Sequence, residues 1–209
     1  MTYSAPARAG TRRTRATVLA ALVVVGTTLI GVLGWQSTTS SFSTATSPVD
    51  FFRGEHSGAL GEADGVVPDG VTVFDDVPAV GNLEPALLGA LRRAATDAAD
   101  DGVELYVNSG WRSPAYQEHL LEEAVAEYGS EEEAARWVAG PETSAHVSGD
   151  AVDIGPADAT AWLSEHGADY GLCQIYGNEP WHYELRPDAA LEGCPPMYAD
   201  PSQDPRMQQ

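Results

Sequence analysis

The hydropathy pattern opens on an apolar run without a charge, residues 17–35 (TVLAALVVVGTTLIGVLGW). At about 1.5 Å per residue a helix over this stretch spans roughly 28 Å, enough to cross the hydrocarbon core of a bilayer. Residues 36–50 turn to serine and threonine and read as a flexible stalk. From residue 51 to about 80, glycine, proline and acids punctuate short apolar pieces, which predicts an irregular lead-in with a short strand at 71–74. Helical spacing then takes over. Leu87, Leu88, Leu91, Ala95 and Ala98 make one apolar stripe, with Pro85 at an early position and Gly102 as the stop. Val103, Leu105 and Val107 alternate with Glu104, Tyr106 and Asn108, the period of a strand. Ser113 and Pro114 open a second helix to about residue 128, with Ser113 as N-cap. A short third helix follows at 131–138. Beyond it the pattern predicts a strand at 151–154, a helix at 157–166, and strands at 172–176 and 181–185. Residues 196–209 are proline-rich and polar and read as a loose tail. Helices and strands mixed without a βαβ repeat predict an α+β domain over residues 51–195.

Charge sharpens the two ends of this picture. Four arginines and no acid precede Trp35, whereas all 31 acids and the remaining seven arginines follow it, giving that part a formal charge of 7 minus 31, or −24. The positive flank predicts a cytoplasmic N-terminus over residues 1–16 and an acidic domain outside the cell membrane, joined by a single-pass anchor. The rival is a cleaved signal segment, with Ser43-Thr44-Ala45 as a small-residue cleavage site and a secreted product. A body this acidic repels phosphate backbones, so nucleic acid is excluded as the main partner. In an exported domain, Cys173 and Cys194 form an even pair for which a disulfide is expected.

Three segments gather polar residues beside predicted strands: 144–153 (SAHVSGDAVD), 179–184 (EPWHYE) and 109–117 (SGWRSPAYQ). A catalytic zinc takes about three ligands from His, Asp or Glu and keeps one position open for water. A nearby carboxylate must take that water's proton. His146, Asp153 and His182 offer two imidazoles and a carboxylate; Glu179, three residues before His182, can approach the water without being a ligand. Arg112 offers a bidentate fork to a substrate carboxylate or to the oxyanion that develops during attack. Singly, these residues carry blander readings: a solvated histidine, a turn-capping Asp153 before Gly155-Pro156, a loop charge at Glu179 and a core Trp181.

Together they resemble the VanY-like D-alanyl-D-alanine carboxypeptidases and their dipeptidase relatives. Ser144, His146, Gly149, Ala151 and Asp153 fit that family's Ser-x-His-x-x-Gly-x-Ala-x-Asp; Glu179, Trp181 and His182 fit its Glu-x-Trp-His. Ser109, Gly110, Trp111, Arg112 and Ser113, then Tyr116 and Gln117, fit its upstream segment. The resemblance spans roughly residues 84–186. It implies the small α+β zinc D,D-peptidase fold shared with hedgehog-type domains, with a central antiparallel sheet and flanking helices. It implies Zn2+ on His146, Asp153 and His182, Glu179 as general base and later acid, and Arg112 positioning substrate or steadying its oxyanion. Ser144, Trp181 and Gln117 would contact substrate. The expected partner is a peptidoglycan stem peptide or precursor, from which the terminal D-alanine is removed. An endopeptidase, a D,D-dipeptidase and a non-catalytic zinc-containing wall-binding module remain as alternatives. Of the other histidines, His119 and His166 read as surface residues and His56 precedes the domain core, while the glutamates between Glu118 and Glu133 read as a solvated helix face.

Overall fold

In the computed structural model of the chain, residues 59–208 are described. The basic N-terminus, the apolar run at 17–35, the stalk at 36–50, the first residues of the domain and His56 lie outside the described residues. Among the described residues no helix is long and apolar enough to cross a membrane.

Four strands form one antiparallel sheet in the order β1-β2-β4-β3: β1 (Tyr106–Ser109), β2 (Ala151–Gly155), β3 (Leu172–Gln174) and β4 (His182–Leu185). Two helices cover one face, α2 (Pro85–Asp100) and α6 (Ala157–His166), while the one-turn α1 (Pro78–Gly81) precedes them. The main core joins Leu87, Ala90, Leu91, Ala94 and Ala98 of α2 and Ala159, Trp162 and Leu163 of α6 to Val107, Val152, Ile154 and Tyr183 of the sheet. Strand side chains alternate between faces. With Val152, Ile154 and Tyr183 in the core, Asp153, His182 and Glu184 are left on the opposite face. That face is bordered by α3 (Pro114–Tyr128) and α5 (Ala145–Ser148), with α4 (Glu131–Ala134) packed on α3.

Local chemistry sets the boundaries. Glu84 caps α2 through its carboxylate, which accepts from the Ala86 and Leu87 amides, and Pro85 fills N1. Ser113 caps α3 by accepting from the Tyr116 amide at 3.1 Å, as its position predicts, and Gly129 at φ 84° ends that helix. The α6 span agrees with the periodicity at both ends. The Cys173–Cys194 disulfide is formed.

Several expectations need correction. The strand expected at 71–74 is a turn: the Asp75 carboxylate accepts from both the amide and the hydroxyl of Thr72 at 2.7 Å, leaving one isolated bridge from Thr72 to Tyr106. The helix expected at 131–138 stops at Ala134. Beyond it Arg136 reaches Asp200 at 3.3 Å. The expected strand at 172–176 pairs only as far as Gln174, because Tyr176 bridges instead to Tyr198. The tail expected to be loose is packed. It forms 3-10 turns at Pro201–Gln203 and Pro205–Gln208, buries Asp200 and Asp204, and packs Met207 beside Cys173, Ile175, Tyr176 and Ala189. Charge pairing rather than apolar content holds it, so its composition misleads.

Candidate metal centre

Asp153 lies on β2 directly opposite His182 on β4, so two of the three expected ligands are placed by strand register alone. His146 arrives on α5, the single turn that leads into β2. Gly149 makes that return possible. It sits at φ 80°, and a Cβ there would stand 2.5 Å from the Asn82 carbonyl oxygen. All three ligands are buried.

Their donor atoms make a near-equilateral triangle. His146 Nε2 and His182 Nδ1 are 3.3 Å apart, and Asp153 Oδ1 stands 3.4 Å from the first and 3.3 Å from the second. With zinc–ligand bonds of about 2.0–2.1 Å, neighbouring ligands of a tetrahedral ion stand roughly 3.3–3.4 Å apart. Asp153 Oδ1 is also a buried oxygen without a hydrogen-bond partner among the described residues. Such an atom costs about 1–3 kcal/mol unless something satisfies it. The donor set, its spacing and the orphaned oxygen all fit one small divalent cation.

Each ligand is held through its other polar atom. His146 Nδ1 lies 2.8 Å from the Gly110 carbonyl, which leaves Nε2 for the cation once Nδ1 donates. Gly110 can bring its carbonyl there because it has no side chain; a Cβ would lie 2.1 Å from the Ala79 oxygen. His182 Nε2 lies 3.2 Å from Glu184 Oε1. Asp153 Oδ2 accepts from Arg112 Nη2 at 3.0 Å, so Oδ1 alone faces the histidines. Burial pushes Asp153 up, but His146 and His182 outweigh it and hold the carboxyl well below the usual range. His146 is held down by burial and by the Arg112 charge. Burial likewise works against Glu184 ionising, but hydrogen bonds from His182 and Arg206 keep it an anion.

A cleft of about 300 Å³ opens over this triangle. Glu179 lines it, with Oε2 3.7 Å from His182 Nδ1 and Oε1 buried without a partner among the described residues. Burial pushes its carboxyl up to about 7. Ser144 is buried in the wall, and Trp181 is 39% exposed on the cleft lining. Ala145, Tyr128 and Trp137 line the cleft too, the two aromatic rings stacked at 5.9 Å. Gln117 also lines it but is 1% exposed and braced, accepting from Arg112 Nη1 at 3.1 Å and donating to the Ala139 carbonyl at 2.7 Å. Arg112 donates as well to Ser109 Oγ at 2.7 Å, so three of its five N–H groups serve the protein. Its first task here is to orient Asp153, a role the spacing of the motifs does not reveal. His119 pairs with Glu123 on the surface of α3, and half-buried His166 sits against Trp162. The residues missed by sequence reasoning are Glu184, Arg206 and Tyr176, whose ring lies 5.0 Å from that of His182. Only Glu184 had a visible signal: two residues beyond His182 in a predicted strand, it shares the histidine's face.

The family described as "VanY: D-alanyl-D-alanine carboxypeptidase" matches residues 81–188. A D-alanyl-D-alanine carboxypeptidase of Enterococcus faecalis is 35% identical over 111 residues, covering 41% of this chain and 41% of that protein. The chain thus spans well under half the length of that curated relative. Among solved structures, a zinc(II) complex of a mutant of the vancomycin resistance D,D-pentapeptidase VanY is 30% identical, covering 49% of this chain and 72% of that one at a TM-score of 0.47. VanYB in complex with D-alanine-D-alanine is also 30% identical, covering 53% and 75% at a TM-score of 0.49.

Proposed function

This chain belongs to the VanY family of D-alanyl-D-alanine carboxypeptidases, and on that footing we propose that it is a zinc-dependent D,D-carboxypeptidase that removes the terminal D-alanine from peptidoglycan stem peptides. The observation that carries this reading is the triangle of His146, Asp153 and His182, with an Asp153 oxygen that has no hydrogen-bond partner among the described residues at one corner and the buried Glu179 carboxylate, its Oε1 likewise without one, beside it. A bound zinc ion supplies Lewis acidity toward the scissile carbonyl and the attacking water. Glu179 takes the proton of that water on Oε1 and returns it to the amine of the departing D-alanine. Its raised affinity for protons suits both halves of that exchange. Arg112, after its three internal bonds, keeps one N–H on each terminal nitrogen for the carboxylate of the substrate. Ser144 and Trp181 shape the walls around the scissile bond.

The cleft wall carries Tyr128 and Trp137 as well as Trp181, and this additional aromatic surface favours a stem peptide over the free dipeptide. A non-catalytic wall-binding module has no use for a buried glutamate with one oxygen left without a hydrogen bond beside the triangle. For location, we infer that the domain works outside the cell membrane, held by residues 17–35 or released if that segment is cleaved.

The test is incubation of the zinc-loaded protein with a stem pentapeptide ending in D-Ala-D-Ala, with products identified by mass. Loss of one alanine, blocked by a chelator and restored by zinc, is expected. Glu179→Ala is expected to keep its zinc and lose roughly 10²–10⁴-fold in turnover. No cleavage by a zinc-loaded parent would sink the reading.

A further inference from the structure

His182 is the only one of the three ligands held by a side-chain carboxylate, and that carboxylate is not self-sufficient. Glu184 is 1% exposed. An isolated anion so far from water is costly unless a cation and hydrogen bonds compensate it. Two arginines do so, unequally. Arg186 reaches Oε2 alone, at 2.9 Å. Arg206 takes both oxygens, Nη1 to Oε2 at 2.7 Å and Nη2 to Oε1 at 3.0 Å. Oε1 is the same atom that faces His182 Nε2.

Arg206 is itself clamped. Asp204, wholly buried, accepts from its Nε at 2.9 Å and from its Nη2 at 2.5 Å. Asp204 also accepts from the hydroxyl of Tyr176 at 3.0 Å, and the Tyr176 ring packs on the His182 ring. Two routes therefore run from the tail to one imidazole, a charged one through Glu184 and a packed one through Tyr176. Arg206 and Asp204 lie beyond residue 188, where the family match ends.

We propose that Arg206 is a positioning residue of the metal centre: by gripping both oxygens of Glu184 it fixes the ring of His182, so that residues 200–208 are a working part of the site. This rests on the zinc reading above. Partners that orient a metal-bound histidine typically contribute 10–100-fold in metal affinity. A residue that only pinned the tail would contribute to stability and leave affinity alone.

The experiment uses the full-length protein and measures zinc affinity by competition with a chromogenic chelator, the visible spectrum of the cobalt-substituted form, and the Tm of the metal-free form. Arg206→Ala is expected to weaken zinc binding about 10-fold or more and to alter the cobalt spectrum. Arg206→Lys, which keeps the charge but not the two-pronged grip, should fall between it and the parent. If Arg206→Ala does not fold, Arg206→Lys and Arg206→Gln carry the same comparison. Variants with a lowered Tm but parental affinity and spectrum overturn the proposal and leave the zinc reading standing. A parent that binds no zinc sinks both.

Discussion

The two histidines of the site are supported in opposite ways. His146 stands on a one-turn helix and leans on a backbone carbonyl, that of Gly110, so no side chain can be deleted to release it. His182 stands on a strand and leans on Glu184, whose charge is balanced by an arginine 22 residues further along the chain. The first arm is made of backbone geometry. The second is made of buried charge and depends on the tail being docked. The proposed metal site thus contains a rigid half and a conditional half.

Asp153 touches both arms, and its loss should be the most damaging change. Asp153→Ala removes the shared corner and strands the Arg112 guanidinium, of which only 14% of the side chain is exposed. Zinc content by elemental analysis should fall to background, and denaturant unfolding should lose about 3–5 kcal/mol. Retained stoichiometric zinc would show that the two histidines suffice. Opening the disulfide tests the conditional half alone. Replacing both Cys173 and Cys194 by alanine should cost about 3 kcal/mol in the chain-entropy picture, read by unfolding with and without reductant. Gly110→Ala attacks the rigid half, because its Cβ would meet the Ala79 oxygen at 2.1 Å. A loss of about 1–3 kcal/mol is expected, with weaker zinc binding as the carbonyl shifts away from His146. Parental affinity in this variant would mean that the carbonyl does not set the ring. Ser113→Ala, which deletes the cap of α3 just after Arg112, should be mildest: about 1 kcal/mol of stability with zinc binding unchanged.

The same division explains what could be read from the chain beforehand. His146 and Asp153 are seven residues apart across one turn and one strand, and Glu179 and His182 three residues apart, so short-range spacing carried both pairs. The α3 cap followed from Ser113 and Pro114, because these residues act on their immediate neighbours. What escaped depends on contacts distant in sequence. Arg112 holding Asp153 spans 41 residues, and Arg206 holding Glu184 spans 22. The tail looked loose since proline and polar residues dominate it, yet its order comes from ion pairs whose partners lie on β4 and at Tyr176. At 71–74 a short apolar piece suggested a strand, and Asp75 folded it into a turn.

The disulfide has a consequence for how often the tail finds its place. Cys173 sits directly opposite Glu184 in the β3–β4 pairing, so the bridge anchors Cys194 beside the carboxylate that Arg206 must reach. Measured from that anchor the free tether is only twelve residues, with a root-mean-square span of roughly 19 Å if it behaves as a flexible coil. Without the bridge it is the whole 22 residues from Glu184, spanning roughly 26 Å. Since local concentration falls as about the three-halves power of tether length, the bridge raises the effective concentration of the arginine at its target by roughly 2.5-fold. The leash is short enough that a tail which detaches has little volume to explore before it docks again.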